Sequence, residues 1–406
     1  MKYLILVGDG MGDHPVPELG NKTPLEAAST PAMDELCRHS ALFEVATVPD
    51  GFHPGSDVAN MSLLGYDPVH YYTGRAPLEA ASMGIDLAPD ETAFRCNLVT
   101  LEYEDERTTM IDFSAGHISS EEAAELISAI QQKCGSERFR FCPGISYRHL
   151  LVVKDSVANL STVPPHDYIG RDVTDHFETY LAAQDWASLV LEARKILANH
   201  PVNLERIAQG KRPATGIWPW GSGKMPAMPT LKKRFNLSGT MISAVDLLNG
   251  LGVCVGLNIA KVEGATGYID TNYEGKAAAA IEALEEQDFV FVHLEAPDEA
   301  GHQGRLDHKI QAIEDFDKRI VAPITAALRD RKQPFRVVVT MDHFTPLSLQ
   351  THTAEPVPAL IYDSRQSSRI SDHSLDERLL KGDKGLQQID GYTLIEFLLE
   401  KEAHYD

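Results

Sequence analysis

The stretch Phe289-Val290-Phe291-Val292-His293-Leu294-Glu295-Ala296-Pro297-Asp298-Glu299-Ala300-Gly301-His302 decides the reading of this 406-residue chain. Its first six residues form a short apolar run interrupted only by His293, as expected of a strand buried on both faces. The polar segment that follows places Asp298 and His302 four residues apart, so one helical turn would put both on the same face.

Working outward, Arg336–Met341 is a second apolar run that ends in Asp342-His343, and His352 follows nine residues later. Tyr3–Val7 is a third, ending in Gly8-Asp9-Gly10, and Pro358–Tyr362 a fourth. Helical patterns lie between them: Lys276–Glu286 is alanine-rich, and Ile310–Arg329 carries apolar residues at helical spacing. Buried strands alternating with helices predict an α/β fold with a largely parallel sheet. Ligands of such sheets gather at the C-terminal ends of strands, where Asp9, His293 and Asp342 fall.

Three carboxylates (Asp9, Asp298, Asp342) and three imidazoles (His302, His343, His352) thus follow strands or occupy the loops beyond. Mixed carboxylate and imidazole ligation suits Mn²⁺ or Zn²⁺ and suits Mg²⁺ less well. Six such groups exceed the needs of one tetrahedral ion. They predict two divalent cations, an arrangement suited to in-line phosphoryl displacement. In Pro54-Gly55-Ser56-Asp57, Ser56 stands where a helix would begin. Its spacing alone fits a helix cap; beside a metal it fits a nucleophile.

Other motifs fail. Gly8-Asp9-Gly10-Met11-Gly12 has Asp13 where a dinucleotide fingerprint needs a third small residue. Around Gly221-Ser222-Gly223-Lys224, Trp218 and Met225 occupy positions that a phosphate loop reserves for Gly and Ser or Thr. Gly55-Ser56-Asp57 lacks the second glycine of an esterase elbow, Val58 standing there.

At 406 residues, the chain calls for two domains or one core with an insertion. Residues 91–214 mix strand and helix signals. Ser119–Lys133 reads as an amphipathic helix opened by a capping box from Ser119 to Glu122, and Trp186–Ala198 as another. The predicted organisation is a core of residues 1–90 and 215–406 with 91–214 inserted, and 210–229 reads as a dense loop. Thr23-Pro24-Leu25-Glu26 gives a further helix start.

With 43% apolar and 24% charged residues, the composition is that of a soluble globular protein. A formal charge of −22 argues against nucleic acid and anionic membranes as partners. No transmembrane run occurs, and the leading apolar segment is too short for a signal sequence. Five scattered cysteines without a CxxC pair fit a cytoplasmic protein. The sequence does not fix an oligomeric state.

Gly8-Asp9-Gly10-Met11-Gly12-Asp13, Thr23-Pro24-Leu25-Glu26, Pro54-Gly55-Ser56-Asp57, Gly65-Tyr66-Asp67-Pro68, Gly74-Arg75 and the two C-terminal motifs together resemble the archaeal-type cofactor-independent phosphoglycerate mutases. That family belongs to the alkaline phosphatase superfamily. The resemblance runs in order through almost the whole chain and is loosest from Glu121 to Arg212. It implies a three-layer α/β/α core of alkaline-phosphatase type with a smaller inserted α/β transferase domain. One metal, Mn²⁺ by preference, would be held by Asp9, Asp342, His343 and the Ser56 oxygen, the other by Asp298, His302 and His352. Ser56 would carry the phosphoryl group between the 3- and 2-hydroxyls of glycerate, a small phosphorylated metabolite being the partner.

Substrate binding would fall to Arg95, Arg148 and His149, with His166, Asp167, Arg171 and Lys224 assisting catalysis. Arg forks suit carboxylate and phosphate oxygens, and an Asp or His can move the hydroxyl proton. One departure bears on the acceptor. The family often has His-Leu where Asn60-Met61 stand here. A subgroup with Ala-Asn at this point and with Arg95-Cys96-Asn97-Leu98 implies an alternative, a phosphotransferase acting on homoserine or another small acceptor.

Overall fold

Apolar strands rich in Val, Ile, Leu and Phe build the sheet of the first unit. Every residue of Phe289–Leu294, Phe335–Thr340 and Val357–Asp363 is buried, so helices must cover both faces, giving three α/β/α layers. The computed structural model describes all residues except 156–159, 161, 367, 369–371, 382–385 and 400–406.

The sheet has eight strands in the spatial order Gln387–Asp390, Ser40–Ala46, Val357–Asp363, Phe335–Thr340, Lys2–Gly8, Phe289–Leu294, Gly239–Ile242 and Asn258–Ile259. Lys2–Gly8 runs parallel to both its neighbours, with Val7 opposite His293 on one side and Thr340 on the other. These strands therefore end level, and Asp9, Glu295 and Asp342 leave the sheet at one edge. Val357–Asp363 and Ser40–Ala46 pair antiparallel. Their register, Val45 opposite Val357, sends the loops before Ser56 and around His352 to that same edge.

The helical stretch expected over 310–329 begins earlier and is interrupted. Leu306–Phe316 and Ala322–Asp330 are α-helical, and a π turn, Asp317–Val321, joins them. Pro323 has no N–H to offer the preceding turn, and the wider turn absorbs the lost bond.

The chain divides into two compact units: Met1–Tyr72 with Ala227–Asp406, and Thr73–Pro226. The division is wider on both sides than residues 91–214. Ala76 and Ala80, in the helix Ala76–Ser82, pack against Ala93 and Leu150, which binds this helix to the second unit. At the other end, Gly216–Gly223 is a strand of the second sheet, not part of a loop. Ile217, Trp218 and Trp220 bury there, and the edge position tolerates Pro219, which cannot donate a ladder bond.

The second sheet centres on the long strand Glu91–Glu104. Its first half lies between Arg148–Lys154 and Gly216–Gly223; its last part pairs with Arg107–Asp112. Helices Ser120–Cys134 and Gln184–Asn199 cover one face around Trp186, Leu126 and Ile127. The Ser119–Glu122 capping box forms in both directions.

Candidate active site

In the first unit, Asp298 and His302 lie on the helix Ala296–His302, with His302 Nε2 3.3 Å from Asp298 Oδ2. His352 joins them: its Nε2 is 3.4 Å from Asp298 Oδ1 and 2.9 Å from His302 Nε2. The Nδ1 atoms of these two rings face the carbonyl oxygens of Gln350 (2.9 Å) and Pro54 (3.3 Å). A carbonyl only accepts, so each ring carries its proton on Nδ1 and turns the Nε2 lone pair inward. Two lone pairs and a carboxylate then converge and require a positive charge between them. The pKa of His302 expresses this demand. Burial lowers it, but the hydrogen bond and charge of Asp298 outweigh burial and raise it to about 9.

Asp9, Asp342, His343 and Ser56 form the second group. Asp342 Oδ1 accepts from the backbone N–H groups of Gly10 (3.1 Å) and His343 (2.9 Å), and Oδ2 accepts from Asn60 Nδ2 (2.9 Å). His343 Nε2 lies 3.5 Å from Asp9 Oδ1 and 3.4 Å from Asp342 Oδ2. Thr345 Oγ1 lies 3.3 Å from His343 Nδ1 and donates to Asp298, so it links the two groups. Burial, then repulsion from Asp342, Glu295 and Asp298, raises the pKa of Asp9 well above the ordinary carboxylate range. So much negative charge, buried beside orphaned imidazole and carboxylate atoms, fits divalent cations.

Ser56 opens the helix Ser56–Leu63 but does not cap it; Gly55 is the N-cap residue and no side chain closes that end. The Ser56 hydroxyl is instead 3.4 Å from Asp9 Oδ2 and 3.3 Å from His343 Nε2. The helix-cap reading of its spacing is therefore set aside.

A buried clamp holds the loop that carries Asp9. Lys309 Nζ donates to Asp13 Oδ2 (2.7 Å), Gly12 O (3.0 Å) and Thr345 O (2.8 Å), so its charge is paired and all its protons are used. Gly10 adopts φ +59°, and a side chain there would strike Asp298. Sequence reasoning overlooked Asn60, Thr345 and Lys309 as parts of the site. Only the folded loops bring them to it, and no motif marks them.

In the second unit, Arg95 stacks on Trp220 at 4.1 Å, and its Nε is 3.1 Å from Glu79. His166 packs on the same indole, 5.6 Å between ring centres, and on Phe113 at 6.1 Å. Phe113 in turn meets Tyr147, over which Arg148 lies at 5.8 Å. Burial lowers the pKa of Arg95; Glu79 opposes this, and Arg75 and Arg148 reinforce it. Arg75, Arg95, Arg148 and His166 thus form one basic cluster on an aromatic platform, and Asp167 Oδ1 lies 3.7 Å from His166.

The other expected residues make different contacts. His149 is 2% exposed and lies opposite Cys96 in the strand register, on the core side of the sheet. Arg95 and Arg148 occupy the other side, because neighbouring strand residues point to opposite faces. His149 Nδ1 accepts from Gly144 N at 3.0 Å, and burial depresses its pKa to about 3. His149 therefore lies on the side of the sheet opposite Arg95 and Arg148, with which it was expected to bind substrate. Arg171 is exposed and pairs with Met110 through its backbone, and Lys224 Nζ donates to Pro89 O at 3.3 Å.

A largely parallel sheet whose strand ends gather carboxylates and imidazoles around a serine defines an enzyme built for divalent metal ions. A family model described as 2,3-bisphosphoglycerate-independent phosphoglycerate mutase matches residues 37–203. The chain is 49% identical to a probable 2,3-bisphosphoglycerate-independent phosphoglycerate mutase of Geobacter sulfurreducens, over 99% of this chain and 100% of that one. It is 50% identical to the enzyme so named in Methanosarcina barkeri, over 95% and 96% of the two chains. The solved structure of the cofactor-independent phosphoglycerate mutase of Thermoplasma acidophilum is similar, with a TM-score of 0.66 at 28% identity over 98% and 99% of the chains. The chain belongs to the archaeal-type 2,3-bisphosphoglycerate-independent phosphoglycerate mutase family. Among the described residues no helix is long and apolar enough to cross a membrane.

Proposed function

We propose that this protein interconverts 3-phosphoglycerate and 2-phosphoglycerate through a phosphoserine at Ser56, without a bisphosphoglycerate cofactor. The observation that carries the proposal is the Ser56 hydroxyl, freed from capping and held 3.3–3.4 Å from His343 and Asp9. Asp298, His302 and His352 would hold one divalent cation, and Asp9, Asp342, His343 and Ser56 the other; Mn²⁺ suits this donor set best. When bound, such cations lower the pKa of an attached hydroxyl and offset phosphate charge.

The chain's own residues do the rest. Ser56 Oγ forms a bond to phosphorus as the bond from phosphorus to the substrate 3-oxygen breaks. The uncapped amide groups that open the helix Ser56–Leu63 would meet the incoming negative charge. Glycerate stays bound, its carboxylate on Arg95 and Arg148. Its 2-oxygen then attacks phosphorus and the Ser56 bond breaks. The 2-hydroxyl proton ends on the 3-oxygen, carried by His166 with Asp167. Arg171 and Lys224 remain proposed contributors that complete the clamp on substrate.

Two residues raised the alternative of another acceptor, and both have structural work here. Asn60 holds Asp342 and the Ser56 carbonyl. Asn97 bridges Phe113 O and Trp220 Nε1. Neither argues for homoserine. Five scattered cysteines with no CxxC pair support a cytoplasmic location.

The test incubates the enzyme with Mn²⁺ and 3-phosphoglycerate and follows 2-phosphoglycerate with no bisphosphoglycerate present. Formation of 2-phosphoglycerate supports the proposal. Release of free phosphate alone would make it a phosphatase, and phosphorylation of homoserine from ATP, without mutase turnover, would favour the alternative.

A further inference from the structure

Asn97 is 2% exposed in the long strand Glu91–Glu104, opposite Arg148 on one neighbouring strand and Trp218 on the other. An amide buried there costs more than an aliphatic side chain unless both its ends are bonded. Its Oδ1 accepts from Trp220 Nε1 at 2.9 Å, and its Nδ2 donates to Phe113 O at 3.1 Å. An indole N–H only donates and a carbonyl only accepts, so the orientation of the amide is fixed. Asn97 thereby ties together the two residues whose rings support His166: Trp220 at 5.6 Å and Phe113 at 6.1 Å between ring centres. The same indole carries the Arg95 guanidinium at 4.1 Å. Arg95 and Asn97 stand two apart on one strand and so share a face of the sheet. Glu79 bonds Arg95 through Nε, and among the described residues the two Nη atoms make no hydrogen bond, which leaves their fork for an anion. One buried amide therefore sets the support of both the anion-binding fork and the imidazole.

We infer that Asn97 is a positioning residue of the mutase reaction: by joining the Trp220 indole to the Phe113 backbone, it holds Arg95 and His166 at one spacing around glycerate. The inference rests on the mutase reading, in which Arg95 binds the carboxylate and His166 moves the hydroxyl proton. Asn97 itself touches no reacting atom. Loosening the support lets glycerate leave while Ser56 is still phosphorylated. Water then attacks phosphorus, the bond to Ser56 Oγ breaks, a water proton passes to that oxygen, and inorganic phosphate is released.

The full-length enzyme with Mn²⁺ is given 3-phosphoglycerate, and KM, kcat and the ratio of inorganic phosphate to 2-phosphoglycerate formed are measured from initial rates. The wild type is compared with Asn97→Ala, Trp220→Phe and the double variant. Trp220→Phe keeps a ring under Arg95 and removes the N–H that Asn97 holds. Each single variant should raise KM and the phosphate ratio by about 10-fold, and the double variant should be no worse than the worse single one. A smaller folded fraction lowers kcat alone and moves neither KM nor the ratio. Wild-type KM and ratio in either single variant, or effects that multiply in the double variant, overturn the inference and leave the mutase reading standing. A wild type that forms no 2-phosphoglycerate overturns that reading and the inference with it. If Asn97→Ala fails to fold, Trp220→Phe decides by the same two measurements.

Discussion

The two units hold their functional groups in opposite ways. In the first, Asp9, Asp342 and His343 are fully buried, and each meets a partner from a distant part of the chain: Ser56 for Asp9 and His343, Gly10 and Asn60 for Asp342. In the second, Arg95 is held by one carboxylate and one indole, and His166 is about half exposed. Groups that must meet a metal need their geometry set in advance, and burial among fixed partners does this. Groups that must grip and release a metabolite need reach, and stacking on Trp220 places a charge without locking it. Substitutions in the first unit should therefore abolish chemistry or weaken metal binding. Those in the second should weaken substrate binding.

The sharpest break of this contrast is Ser56→Ala. Activity should fall by at least roughly 1000-fold, and thermal stability should stay near wild type because the hydroxyl caps no helix. Steady-state turnover with a parallel melting curve checks both, and an active variant removes the nucleophile. Arg95→Met comes next, with KM rising about 10- to 100-fold and kcat less affected, as for a lost charge-assisted hydrogen bond. A drop confined to kcat would move Arg95 to the chemical step.

Asn60→Ala should cost about 10-fold in Mn²⁺ affinity, since Asp342 loses one of its three donors. Metal titration by calorimetry reads this, and unchanged affinity would limit Asn60 to packing. The smallest effect concerns His149. Its folded pKa, about 3, lies below the ordinary 6.5, so the fold favours the neutral ring. Its contribution is present above pH 6.5 and is lost as pH falls from there toward 3, by up to about 1.4 kcal/mol per pH unit. His149→Gln should flatten that acid loss in denaturation curves between pH 4 and 6.5 (roughly the window the two pKa values bracket) and leave KM unchanged. A raised KM would return His149 to the substrate.

The same contrast explains what the sequence could tell. Phe289–Leu294 has the bounds its apolar run suggested, and Asp298 and His302 sit one helical turn apart. Strand ends and helical spacing are local rules, and the sites they carry are readable without the fold. The second unit obeys fewer of them. Arg148 and His149 look like a polar pair in sequence, yet strand alternation sends one to the basic cluster and the other to the core. Gly216–Gly223 resembles a loop because of its glycines and Pro219, and only pairing with Glu91–Glu104 makes it a strand. Lys309, Thr345 and Asn60 were invisible for a related reason: their partners lie 36 to 297 residues away. Even the capping reading of Ser56 followed sound local logic; tertiary contacts with Asp9 and His343 override it.

The central claim is that Ser56 carries the phosphoryl group. It is tested most directly by quenching the enzyme in acid during turnover of 3-phosphoglycerate and mapping phosphopeptides by mass spectrometry. The account predicts a phosphorylated peptide containing residues 55–61, modified at Ser56 and absent when substrate is left out. Full turnover with no phosphorylated Ser56 at any time point would contradict it.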